Sequence, residues 1–240
     1  MIQQKNYFNI LKKFLNSSLE LHQVLHLDLS KRFNTDKIYD KEAQDLGSCL
    51  GKCTNLSDLT VDLDGNSIGA IGAQGLGSDL GNCINLQNLT FQLYGNKIDA
   101  LGASSLCSDL GKCANLSNLS LQLYGNQIGE GASGLGYGLG KCTNLSNLTL
   151  DLSNNTIGDE GLIGLGSGLG NCTNLSNLTF KLYMNQISFV GASCLGSGLR
   201  KCTNLLNLKV DFDYIEICES QKLEVKFLKS KRLVVLEIIY

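Results

Sequence analysis

The sequence predicts an α/β solenoid: short coils stacked side by side, with a parallel β-sheet along one side and helices along the other. Three observations predict it. One phrase recurs along the chain. It reads CTNLSDLTVDLDGNSI from Cys53, CINLQNLTFQLYGNKI from Cys83, CANLSNLSLQLYGNQI from Cys113, CTNLSNLTLDLSNNTI from Cys142 and CTNLSNLTFKLYMNQI from Cys172, with a worn copy, CTNLLNLKVDFDYIEI, from Cys202. The leading cysteines are spaced 30, 30, 29, 30 and 30 residues apart, and self-similarity at a period of roughly 20–50 residues marks a solenoid or a related array. Within each copy apolar and polar residues alternate, as in Leu59, Val61 and Leu63 around Thr60 and Asp62; a period of two marks a half-buried strand. Ala73, Leu76, Leu80 and Cys83 follow at offsets 0, 3, 7 and 10, which places all four on one stripe of a helix.

Taken in order, residues 1–20 are expected to form an N-terminal capping helix, centred on Leu11 and Leu15 within 4–19. Repeats of about thirty residues occupy 21–217, each a strand, a turn, a helix and a turn. The first strand carries Leu25, Leu27 and Leu29, and the last clear one Leu208, Val210 and Phe212. Residues 218–240 read as a degenerate C-terminal capping repeat, with a helix over 219–231 and a final strand at Leu233, Leu236 and Ile238. That makes eight strands in one parallel sheet. A single coil buries too few apolar side chains to repay the ordering of its backbone, so neighbours must stack to close a continuous core.

Composition narrows the function. The 240 residues are 43% hydrophobic and 18% charged, with a net charge of −2. This is not the composition of a disordered chain, and the charge is too near neutral to point to nucleic acid or to a membrane surface. There is no run of eighteen apolar residues, and the first residues lack the apolar core of a signal peptide, so a cytoplasmic chain is expected. Six of the ten cysteines hold one fixed place in the repeat, and Cys49, Cys107, Cys194 and Cys218 share no spacing. With no CxxC pair, they read as small buried thiols in a reducing compartment; no metal and no cofactor are expected. Asn-x-Ser/Thr triplets such as those at Asn144 and Asn147 read as by-products of the repeat.

Catalytic motifs fail on spacing. Gly47-Ser-Cys-Leu-Gly51-Lys52-Cys53 is one residue short of a phosphate-binding loop, ends in Cys, and lies at a helix end. His22 and His26 have the i, i+4 spacing of a zinc-protease helix, but Gln replaces the required Glu and His26 falls on a strand. Gly134 to Gly140 lacks the GxGxxG spacing. The basic cluster Lys222, Lys226, Lys229, Lys231 and Arg232 reads as a solvated face of the cap.

Residues 145–157 read Leu-x-x-Leu-x-Leu-x-Leu-x-x-Asn-x-Ile, followed by Gly-Asp-Glu-Gly and a helix. This resembles leucine-rich repeats, most of all those of the ribonuclease-inhibitor kind, over roughly residues 20–240. The resemblance implies a curved horseshoe with strands on the concave side and helices on the convex side. It also implies a buried asparagine ladder at Asn66, Asn96, Asn126, Asn155 and Asn185, ending there because position 215 is Ile. The chain departs from the family motif in one respect: Leu59 to Asn66 spans seven residues where the motif has five, which reads as a strand lengthened by one polar–apolar pair. Paired glycines four apart on the helices, such as Gly47 and Gly51, Gly77 and Gly81, Gly136 and Gly140, and Gly166 and Gly170, read either as close helix–helix contacts or as repeat drift facing solvent.

Outward positions of the strands form three rows. Thr60, Thr90, Ser120, Thr149, Thr179 and Lys209 make the first; Asp62, Gln92, Gln122, Asp151, Lys181 and Asp211 the second; Asp64, Tyr94, Tyr124, Ser153, Tyr183 and Asp213 the third. Tyrosines amid acids and amides suit recognition of a partner protein, since tyrosine offers rigid apolar area and a hydroxyl; the alternative is that they only stack on one another. The expected function is a non-enzymatic, monomeric scaffold that binds a partner protein through Asp62, Asp64, Gln92, Tyr94, Gln122, Tyr124, Asp151, Ser153, Lys181, Tyr183 and Asp211. Two other readings stay open: a regulatory module of the kind found in GTPase activators or linked to protein kinases, and a structural part that self-associates through a terminal strand.

Overall fold

Alternation of leucine with polar residues lays down a single parallel sheet in chain order. In the computed structural model, which describes residues 5–31, 36–212 and 233–239, the strands are β1 (Lys5–Phe8), β2 (Val24–Asp28), β3 (Asp58–Asp62), β4 (Asn88–Gln92), β5 (Asn118–Gln122), β6 (Asn147–Asp151), β7 (Asn177–Lys181), β8 (Asn207–Asp211) and β9 (Val235–Ile239). The helices are α1 (Leu11–Leu15), α2 (Asp40–Leu50), α3 (Ala70–Ser78), α4 (Ala100–Leu106), α5 (Ala132–Leu139), α6 (Gly158–Leu169) and α7 (Phe189–Leu199). From β3 to β8 every copy pairs in register with the next, so Val61 lies beside Phe91, then Leu121, Leu150, Phe180 and Val210. These residues have no more than 2% of their surface exposed, as have Leu63, Ala73, Leu76, Leu80 and Cys83. The fold is a leucine-rich-repeat solenoid, with the core running unbroken between sheet and helices.

Backbone pairing outlasts the regular strands. Leu63 N donates to Gln92 O and Gly65 N to Tyr94 O, both at 2.8 Å, and the next coil repeats the pattern. The extra polar–apolar pair thus extends the ladder and inserts no bulge. The chain then turns through a left-handed residue: Gly65, Gly95 and Gly125 have φ of 72°, 61° and 66°, and in the two following coils Asn154 (54°) and Met184 (57°) take that place.

The N-terminus differs from expectation. The helix placed over 4–19 is only α1, Leu11–Leu15, and β1 precedes it, making nine strands among the described residues. Asn6, Tyr7, Phe8 and Asn9 are poor helix formers, and pairing with β2 satisfies backbone groups that an uncovered edge would leave open. Phe14 is fully buried and meets Phe8 edge-on, with centroids 5.7 Å apart. His22 completes this cap. Ser17 Oγ donates to Phe14 O, so it accepts from His22 Nε2, and His22 Nδ1 accepts from Asn6 Nδ2. Burial lowers the His22 pKa and favours this neutral form. The helix expected over 219–231 and the ladder's end at Ile215 lie outside the described residues.

Glycine sets the distance between helices. A methyl group on Gly77 would sit 2.2 Å from the Leu106 carbonyl oxygen, and one on Gly136 would sit 2.6 Å from Leu165 Cα. These glycines face the neighbouring helix, and the cost of glycine within a helix is exchanged for close backbone contact. Caps also cross between coils. Asp40 Oδ1 accepts from Gly69 N and Gly72 N at the start of α3, and the Asp159 carboxylate accepts from Ser188 N and Ser188 Oγ at the start of α7. Asn66 Nδ2 donates to Leu29 O and Leu63 O at 3.0 and 2.9 Å, while its Oδ1 accepts from Ile38 N at 2.9 Å. Asn96, Asn126, Asn155 and Asn185 bridge successive coils in the same way, each buried.

Candidate functional site

Because register is kept from coil to coil, the outward rows are lines of side chains on the face of the sheet away from the helices. They enclose an open groove of about 570 Å³ lined by Asp64, Thr90, Gln92, Tyr94, Ser120, Gln122, Tyr124, Asp151 and Tyr183. Seven of the expected partner-binding residues therefore meet in one place. Asp62 lies beside the groove on β3, Lys181 at its rim, and Asp211 farther along on β8. Asp213 lies outside the described residues.

The tyrosines stack and also wall the groove. Tyr94 and Tyr124 lie face to face, centroids 4.8 Å apart and planes 21° off parallel. Tyr124 and Tyr183 approach to 5.7 Å at 45°. Tyr94 is anchored from the coil before it, where Asp64 Oδ1 accepts from Tyr94 N at 2.8 Å.

Two positions do not lie as expected. Ser153 shares the tyrosines' row but is 0% exposed, and Asp151 is 8% exposed. The reason is the size of the neighbours: Tyr124 and Tyr183 come from the strands on either side and lean together over the smaller residues. Asp151 Oδ1 accepts from Ser153 N at 3.1 Å, and its Oδ2 lies 3.4 Å from Lys181 Nζ. Ser153 Oγ has no hydrogen-bond partner of ordinary geometry. The Tyr183 hydroxyl has its pKa raised, first by desolvation and then by the charge of Asp151 and the neighbouring Tyr124; the nearby Ser153 hydroxyl opposes the shift without closing a normal hydrogen bond.

Two further polar ladders cross the coils, one on the sheet face beside the groove and one at the loops that precede the strands, and neither is expected from the sequence. Asn88 Nδ2 donates to the Asp58 carboxylate, Asn118 to Asn88 Oδ1 at 2.6 Å, and Asn147, Asn177 and Asn207 continue the line. At the loops Asn85, Asn115, Asn144, Asn174 and Asn204 each donate to a carbonyl of the coil before. The signal was visible as an asparagine at fixed places in every copy. At Asn144 and Asn147 the triplets that read as by-products of the repeat belong to these ladders.

The cysteine line is structural. Cys83, Cys113, Cys172 and Cys202 donate through Sγ to Leu50 O, Leu80 O, Leu139 O and Leu169 O, at 3.1–3.3 Å. Burial, aided by neighbouring thiols, pushes Cys53, Cys83, Cys142 and Cys202 up to about 12. Among the described residues every cysteine is a free thiol, no cluster of His, Cys, Asp and Glu could hold a metal ion, and no helix is long and apolar enough to cross a membrane.

Fold and groove together define a leucine-rich-repeat chain with a tyrosine-walled groove on its sheet face. No family model matches the sequence, and no curated protein matches it. Among solved structures, internalin C2 from Listeria monocytogenes is similar over 85% of each chain, at 18% identity and a TM-score of 0.35.

Proposed function

We propose that the chain is a non-enzymatic recognition module that holds a partner protein against the outer face of its sheet. The observation that carries this is the groove itself: three tyrosines, two glutamines and two aspartates drawn from different coils and presented together on one sheet. The hydrogen-bonded ladders beside and beneath it fix their spacing before any partner arrives, so little ordering remains to be paid for on docking. Both histidines are engaged in the N-terminal cap, His22 with Asn6 and Ser17 and His26 stacked on Tyr7 at 5.3 Å, which favours binding over acid–base chemistry. α-Helices of seven to twelve residues in α2–α7 support the ribonuclease-inhibitor-like kind of repeat. The free thiols among the described residues suit a reducing, cytoplasmic compartment.

A photo-crosslinking residue placed at Gln122 in the groove, or at Tyr137 on α5, tests the reading in the cell of origin. The proposal expects covalent capture of one partner from position 122 and none from 137. Equal capture from both, or capture from 137 alone, would reject the sheet face as the binding surface.

A further inference from the structure

Tyr124 and Tyr183 stand two strands apart, with Ser153 on the strand between them. Neighbouring strands lie about 4.8 Å apart, so the two tyrosines are anchored about 9.6 Å apart. Upright rings on those anchors admit one planar group between them, since two stacking contacts of about 3.5 Å need about 7 Å. In this structure the rings instead lean together, 5.7 Å apart and tilted by 45°. They close over a fully buried serine hydroxyl that has no hydrogen-bond partner of ordinary geometry, with the Tyr183 hydroxyl nearby. Ser153 belongs to the same outward row as the tyrosines, so this hydroxyl forms the floor of the slot. Asp151, two residues earlier on the same face, adds a carboxylate whose contact with the half-exposed Lys181 is a long 3.4 Å. The groove's lining includes two carboxylates and no basic side chain.

Two π faces as walls, with a carboxylate and a serine hydroxyl without a partner of ordinary geometry as floor, match one chemical group best. A guanidinium is planar and cationic, carries five donors and no acceptor, and stacks on aromatic faces. A sugar ring is not planar and brings no charge. An ammonium group does not fill a flat slot. We propose that Tyr124, Tyr183, Asp151 and Ser153 form a site for one arginine side chain of a partner protein. The rings part, the guanidinium enters between them and donates to Ser153 Oγ and to Asp151, and Lys181 swings into solvent. This inference rests on the sheet-face reading above and gives its partner a chemistry.

The test is titration of the full chain with Nα-acetyl-arginine methylamide and with its citrulline analogue, which keeps the shape and loses the charge. Tyrosine ring resonances are followed by NMR. The arginine probe is expected to shift Tyr124 and Tyr183 saturably, with citrulline binding at least tenfold more weakly. Asp151→Asn should weaken the arginine probe at least tenfold. Ser153→Ala, which removes a hydroxyl without a partner of ordinary geometry and so should leave the fold intact, should weaken it several-fold. Equal binding of citrulline, shifts confined to Tyr94, no shift at all, or full affinity in a folded Asp151→Asn chain would each overturn the site. Partner crosslinking from position 122 with no response to the arginine probe would sink the arginine site and leave the sheet-face reading standing. A response to the probe with no crosslinking from 122 would do the reverse.

Discussion

Asn126→Ala tests how the coils are tied together. Asn126 is 7% exposed. Its Nδ2 donates to Leu93 O and Leu123 O, each at 2.9 Å, and its Oδ1 accepts from Ile98 N at 2.9 Å. Alanine leaves three backbone groups, drawn from two coils, without that partner. At about 1–3 kcal/mol for each buried group left unsatisfied the ceiling is near 9 kcal/mol, and because carbonyls have a second lone pair and water can enter a turn, we expect a loss of about 3–5 kcal/mol. Urea unfolding of the full chain reads this directly. The slope should fall with the midpoint if the break uncouples coils on either side, since stability in a repeat array is close to a sum over nearest neighbours. Asn115→Ala is the control: that side chain is exposed and makes one contact, to Ile84 O at 2.9 Å, so about 0.5–1 kcal/mol is expected. If Asn126→Ala cost no more than Asn115→Ala, the ladder would not be what joins one coil to the next.

Three further predictions address packing, strain and titration. Gly77→Ala, despite alanine's better helix propensity, should lose about 1–3 kcal/mol by overpacking against Leu106; a higher melting temperature would contradict the close-contact role of the helix glycines. Met184→Gly should gain up to about 1 kcal/mol, because the left-handed conformation costs a side chain about 1–2 kcal/mol and glycine's unfolded-state freedom returns only part of that; thermal unfolding checks it, and a loss would show that the methionine side chain contributes packing. Stability should fall as pH rises from 9 toward 11, because the unfolded chain ionises thiols of ordinary pKa near 9 while the folded chain keeps them protonated up to about 11–12. At pH 10 each such thiol costs about 1.4 kcal/mol, so urea midpoints at pH 8 and 10 should differ widely, and equal midpoints would contradict their burial.

The core was legible because the alternation at Leu59, Val61 and Leu63 and the stripe at Ala73, Leu76, Leu80 and Cys83 recur in copy after copy, and each became a fully or almost fully buried row. The end of the chain was not. Lys5–Phe8 is too short to carry a period, and the strand there is chosen by the open edge of β2, a tertiary demand that no local pattern encodes. At the groove, period alone placed Tyr94, Tyr124 and Tyr183 on the correct face but set Ser153 in solvent. Burial there is decided by the bulk of Tyr124 and Tyr183, one coil away in either direction, which closes over a small residue whatever its phase. The amide line from Asp58 to Asn207 was visible as repeated letters, but polar residues at an outward strand position gave no reason to expect side chains bonded to one another.

The central claim is that the tyrosines of the sheet face engage a partner and do not hold the fold. It is tested most directly by binding of the crosslinked partner to wild type and to the Tyr94→Ala, Tyr124→Ala, Tyr183→Ala triple variant, with melting temperatures taken on the same samples. Exposed and half-exposed aromatic anchors at the centre of an interface typically cost about 2 kcal/mol or more each on truncation, so affinity should fall by well over a hundredfold while the melting temperature moves by no more than a few degrees. Unchanged affinity with a collapsed melting temperature would mean that the tyrosines are part of the structure and that the partner binds elsewhere.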